Sequence, residues 1–166
     1  MTAPTTLTLT DLLARTAGYA DDVRAGRYGP GEWPRTERWA ERLHADDEHD
    51  VWLISWVPDR STELHDHAGS LGALTVVAGA LSEVSWNGSG LRRRRLGVGD
   101  GAEFPLGWVH DVTRHASAVD GAVAPSLPPT LSVHAYSPPL TAMSYYDVRD
   151  GRLRRVRSEL TDRPEP

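Results

Sequence analysis

From Glu37 onward the chain is cut into short runs by turns, and this punctuation limits the fold more than any other feature. Asn87-Gly88-Ser89-Gly90 stands between Leu81–Trp86, which alternates apolar and polar residues, and Leu91–Leu96. An Asn-Gly pair between two such runs is a hairpin signal, because both residues tolerate the positive φ that a tight turn demands. Further breaks fall at Asp46-Asp47-Glu48, Pro58-Asp59-Arg60, Gly97-Val98-Gly99-Asp100-Gly101, Phe104-Pro105-Leu106-Gly107 and Asp150-Gly151. Between them, strands are expected over Trp39–His44, Val51–Val57, the stretch holding His65-Asp66-His67, Gly72–Ala78, Leu131–Tyr136, Ala142–Val148 and Leu153–Val156. Many short strands separated by Gly, Pro and Asn turns predict an all-β closed antiparallel barrel or jelly roll.

One segment breaks this rhythm. Leu9, Leu12, Leu13, Ala17 and Ala20 recur at helical spacing, with Thr8 as cap and Asp11 completing a capping box. An amphipathic helix from Leu9 to Ala25 is expected to pack on the barrel, ending at Tyr28-Gly29-Pro30-Gly31. The 166 residues fit one domain: helix and connection over 8–35, barrel over 36–157 and a frayed tail over 158–166.

Composition excludes several functions. The net charge of −5 argues against a nucleic-acid surface, and no apolar run approaches a membrane span. The chain has no cysteine, so it forms neither a disulfide nor a thiolate metal site, and it reads as cytoplasmic and monomeric. Met1 to Thr10 shows no signal-peptide pattern. The run Arg92–Arg95 sends two side chains to each strand face and reads as a solvated hairpin rather than an anion site.

Chemistry concentrates in the histidines. His65 and His67, two residues apart on a strand, project from the same face, where two imidazoles can hold one metal ion. The same spacing also occurs on a solvent face, so the pair needs a third ligand. His110, after the sharp turn at Pro105-Leu106-Gly107, is placed to supply it. Ser132, His134 and Tyr136 are likewise spaced by two: the serine can set the tautomer of His134, and His134 can orient the Tyr136 hydroxyl.

These residues resemble the cupin superfamily. His65, His67 and Gly79 match its first motif, with Gly72 at the glutamate position and Asp59 at the leading glycine; Pro105, Gly107 and His110 match its second, with Thr113 or Arg114 where asparagine is usual. Within the cupins the chain resembles the type I cysteine dioxygenases, and more broadly the thiol dioxygenases. The stretches that carry this are Trp56 with Leu64-His65-Asp66-His67, His110-Asp111-Val112, and Ser132-Val133-His134-Ala135-Tyr136-Ser137-Pro138-Pro139. The resemblance implies a cupin barrel with a mononuclear iron(II) held by His65, His67 and His110, oxidising L-cysteine to cysteine sulfinic acid with O2. It implies that cysteine chelates through thiolate and amine, that Tyr136 stands beside substrate and oxygen, supported by His134 and Ser132, and that Ser137-Pro138 is cis. Arg42 matches the arginine that grips the substrate carboxylate, with Arg38 and Arg35 as competitors; Met143 falls at a pocket wall or is a plain core methionine.

Gly72 has two implications. Three neutral imidazoles leave the full charge on a divalent metal and favour an anionic ligand such as a thiolate. By resemblance, Gly72 also stands where mammalian members carry a cysteine crosslinked to the tyrosine at the Tyr136 position, so the tyrosine here is unmodified. His44, His49 and His115 match no motif and read as surface or pocket-rim residues. Competing readings are a dioxygenase for 3-mercaptopropionate or another small thiol, whose relatives carry glutamine at the Arg42 position, and a non-catalytic metal-binding cupin sensor. A zinc or manganese cupin isomerase or hydrolase would normally want the carboxylate absent at Gly72.

Overall fold

A computed structural model describes residues 6–58, 61–115 and 129–164. The expected turn residues Asp59 and Arg60 and the last two residues of the tail lie outside these. Helix α1 (Leu9–Arg24) is followed by eleven strands: β1 (Trp39–Ala45), β2 (Asp50–Trp56), β3 (Leu64–Asp66), β4 (Leu71–Ala78), β5 (Leu81–Trp86), β6 (Leu91–Leu96), β7 (Gly101–Phe104), β8 (His110–Arg114), β9 (Thr130–Ser137), β10 (Ala142–Arg149) and β11 (Arg152–Leu160). They form two antiparallel sheets, one ordered β1-β2-β9-β4-β7 and the other β11-β10-β3-β8-β5-β6. This is the expected jelly-roll architecture with a leading helix.

The apolar runs of β2 and β9 are continuous because both their faces are covered. Trp52, Ile54 and Trp56 turn inward to a core shared with Leu74, Phe104, Tyr136 and Met143. Val51, Leu53, Val133 and Ala135 turn outward against Leu12, Ala20 and Val23 of α1. The helix is secured polarly as well. Its Thr8–Asp11 capping box is formed, and the buried Thr16 hydroxyl lies 2.8 Å from that of Thr75 on β4.

Three differences from expectation have local causes. Gly101–Phe104, which reads partly as turn, pairs with β4 in register Gly72↔Phe104, because its alternate residues Ala102 and Phe104 enter the core. Strand β11 continues through Leu160, paired with Ala142, so the order extends past 157 into the expected tail. His49 is not a surface residue: it is only 3% exposed. Among the described residues no helix is long and apolar enough to cross a membrane.

Candidate metal centre

Strands β3 and β8 pair at one point, His65↔His110, which sets two imidazoles side by side. His67 follows β3 directly. Asp66, pointing the other way, holds the turn beyond: its Oδ1 accepts the Ala68 N–H at 3.0 Å and its Oδ2 accepts the Tyr146 hydroxyl at 2.6 Å. Asp111 similarly ties the approach to β3, accepting the Thr62 N–H at 3.1 Å. The result is that His65, His67 and His110, all buried, each offer a ligand atom within 4.8 Å of the others.

The ring tautomers follow from their partners. His65 donates Nδ1–H to the Glu63 carbonyl at 2.8 Å, and His110 donates Nδ1–H to Glu83 Oε2 at 2.8 Å. Both rings therefore present an unprotonated Nε2 to the centre. Burial lowers the basicity of all three histidines, and for His67 and His110 the neighbouring imidazoles lower it further, well below the ordinary value. Three neutral, convergent imidazole nitrogens are a donor set suited to a divalent transition metal. The residues fit such an ion.

Glu83 is a candidate site residue that the sequence did not disclose. It is completely buried on β5, and Arg94 on β6 donates Nε–H to its other oxygen at 2.6 Å. Trp108 Nε1 approaches it at 3.4 Å. The arginine run is exposed as expected, but Arg94, opposite Glu83 in the β5–β6 register, supplies the cation that permits this carboxylate to be buried beside a histidine.

The carboxylate usual at the Gly72 position has no room here. A Cβ on Gly72 would lie 2.8 Å from the Phe104 ring and 3.1 Å from the Tyr136 ring. The Phe104 ring also stacks on His67 at 5.6 Å and lies 4.4 Å from His110.

Tyr136 borders the cluster, its ring 4.8 Å from that of His67. Behind it runs a buried ladder whose direction can be derived. Trp56 Nε1, which can only donate, gives its hydrogen to Ser132 Oγ at 2.9 Å. Ser132 is satisfied when it donates to His134 Nε2, 2.8 Å away. His134 Nδ1–H then faces the Tyr136 oxygen at 3.4 Å. Burial lowers the pKa of His134 to about 3, so the ring is neutral and the ladder keeps this polarity at physiological pH. Ser132, His134 and Tyr136 thus do share a face, and Trp56 is the donor that starts the series. The Ser137-Pro138 bond at its end is cis.

The arginines divide. Arg42 is exposed on β1 with its guanidinium 5.4 Å from the Trp52 ring, and its charge bears on Asp50. Arg38 lies 4.8 Å over Trp56, and its charge bears on His65 and His134. Arg35 is exposed. Asp50 is buried opposite Tyr136 in the β2–β9 register, and burial raises its pKa to about 6. Met143 is buried in the core with Tyr136 and Tyr145.

The chain matches the cysteine dioxygenase type I family over residues 2–149. It belongs to that family. No curated protein sequence matches it significantly. Among solved structures it is similar to BH2720 from Bacillus halodurans, with TM-score 0.53 and 16% identity over 81% of this chain and 83% of that one. It is also similar to TT1209 from Thermus thermophilus, with TM-score 0.52 and 18% identity over 69% and 93% of the two chains. A cupin superfamily protein from Desulfitobacterium hafniense matches with TM-score 0.50 and 10% identity over 64% and 82%. These likenesses establish the cupin fold. For this dioxygenase family member, the three histidines form its candidate metal site.

Proposed function

We propose that the protein is a non-haem iron(II) thiol dioxygenase that uses O2 to oxidise L-cysteine to cysteine sulfinic acid. The observation that carries this reading is the meeting of three neutral imidazoles with a polarised Trp56–Ser132–His134–Tyr136 ladder in a chain of this family. His65, His67 and His110 hold the iron, which supplies Lewis acidity and redox chemistry when bound. Without a carboxylate ligand the centre keeps its charge and favours a thiolate. Glu83 fixes the orientation of His110. Tyr136 accepts a hydrogen bond from His134 and sits with its ring beside the centre, next to His67. Phe104, Met143 and Tyr145 exclude water from it. The protein acts as a cytoplasmic monomer on a small molecule, without nucleic acid or membrane.

The substrate carboxylate is received on the β1 face shared by Arg38 and Arg42. The family resemblance favours Arg42, whereas the influence of Arg38 on His65 and His134 favours Arg38. Charge-assisted hydrogen bonds contribute about 1.5–3 kcal/mol, equivalent to roughly 10–150-fold in binding. Replacing the gripping arginine by glutamine is expected to raise KM for cysteine by about that factor, with the other replacement within a few-fold of wild type. If neither Arg38→Gln nor Arg42→Gln raises KM, the carboxylate assignment fails. A preference for 3-mercaptopropionate over cysteine would replace cysteine as substrate.

A further inference from the structure

A second group of metal-ligating side chains lies outside the barrel interior, at the hairpin joining β1 to β2. Its members are His44, Asp46 and His49, and their ligand atoms fall within 4.8 Å of one another. His44 Nε2 is 2.8 Å from Asp46 Oδ2, and His49 Nδ1 is 3.3 Å from Asp46 Oδ1. We propose that this hairpin is a second metal site, binding a borderline divalent transition-metal ion such as zinc(II) through His44, Asp46 and His49.

Proximity alone would describe an ordinary histidine–carboxylate contact. The additional observation is His49 itself. Its ring is buried, and Nδ1 points into the cluster, where it meets Asp46 Oδ1 at 3.3 Å without forming a well-aligned hydrogen bond. A buried imidazole nitrogen so placed gives up its hydration for only a poorly aligned contact. A metal ion supplies a better partner.

The surroundings agree. Asp46 is pre-set: its Oδ1 accepts the N–H groups of Glu48 at 2.8 Å and His49 at 2.9 Å, and its Oδ2 faces His44 Nε2 at 2.8 Å. These bonds and His44 hold its carboxyl well below the usual range, so it is ionised. Burial lowers the basicity of His49 and keeps it neutral, the form that ligates. The His44 and His49 ring centroids are 4.5 Å apart, with the planes tilted by 32°. Zinc bonds to nitrogen and oxygen of about 2.0–2.2 Å place tetrahedral ligand atoms about 3.4 Å apart, so the three donors need only small shifts to converge. His44 and Asp46 are 34% and 43% exposed, which leaves an entry path and room for water as a further ligand. Arg15 of α1 contributes a nearby positive charge that opposes the ion. The Asp46 carboxylate offsets it.

An ion here would join the end of β1 to the start of β2. That hairpin is already tied to the barrel, because Ser137 donates its hydroxyl hydrogen to the Glu48 carbonyl at 2.6 Å. The site would therefore brace the strand pair that carries Arg42 and Asp50.

The test is zinc stoichiometry in the full-length protein after dialysis against a buffered, low free-zinc concentration. Wild type is expected to retain two ions per chain, one in the barrel and one at the hairpin. His44→Ala and Asp46→Asn should each retain one; asparagine keeps the oxygen that accepts the turn N–H groups, so the hairpin survives. His65→Ala with His110→Ala should retain the hairpin ion alone, which separates this inference from the barrel assignment. A second ion that persists in His44→Ala, or its absence from wild type while the barrel ion is retained, overturns the proposal. Should the barrel variant fail to fold, the comparison of wild type with His44→Ala still decides.

Discussion

At the scale of single residues, Glu83 governs how well the centre is organised. It accepts from His110 on one oxygen and from Arg94 on the other, both at hydrogen-bonding distance, and its own carboxylate is fully buried. Such outer partners fix ring orientation, and losing one typically costs about 10–100-fold in metal affinity. Glu83→Gln should therefore weaken iron binding by about that factor, read by competition with a chelator under anaerobic conditions. An unchanged affinity would show that His110 is held without it. The sequence conceals this role, since a lone glutamate between Ser82 and Val84 in an alternating strand looks like a solvent-facing residue. It becomes visible only when β6 and β8 flank β5 and place Arg94 and Val112 opposite Glu83. His49 misleads in the same way: its neighbours are acidic turn residues, and only the packed hairpin buries it.

At the scale of elements, the close approach of β4 to β9 and β7 decides the shape of the pocket. Gly72 pairs with Tyr136 on one side and with Phe104 on the other, and both rings lean over its missing side chain. Gly72→Ala would force the Phe104 ring away from 2.8 Å and press on Tyr136. Overpacking of this kind usually costs about 1–3 kcal/mol. A lower melting temperature together with reduced kcat is expected, because Tyr136 is displaced from His134. A variant with wild-type stability and turnover would show that the contact is slack. The strands themselves were legible from turn chemistry, as at Asn87-Gly88, whose Asn87 Oδ1 accepts the Ser89 and Gly90 N–H groups. Strand β7 was not, because Gly101-Ala102-Glu103-Phe104 follows a glycine-rich turn and owes its extended form to pairing with distant β4.

At the scale of the whole molecule, two sheets and one helix solve a single packing problem. The inward face of the first sheet alternates bulky apolar groups with Ser132, His134 and Tyr136, while its outward face is sealed by α1. The second sheet contributes His65, His110 and Glu83 from three strands adjacent in space. The histidines and the tyrosine ladder were legible because their period-two spacing survives folding unchanged. The substrate-binding arginine was less so: Arg38 and Arg42 are an even number of residues apart, so spacing does not choose between them. Thiol dioxygenation at this centre is tested by reconstituting the protein anaerobically with Fe(II), admitting isotopically labelled dioxygen with cysteine, 3-mercaptopropionate or cysteamine, and following oxygen uptake and product mass. Oxygen is expected to be consumed in step with cysteine, and the cysteine sulfinic acid formed to carry both labelled atoms. No oxygen consumption with any of these thiols would contradict this expectation.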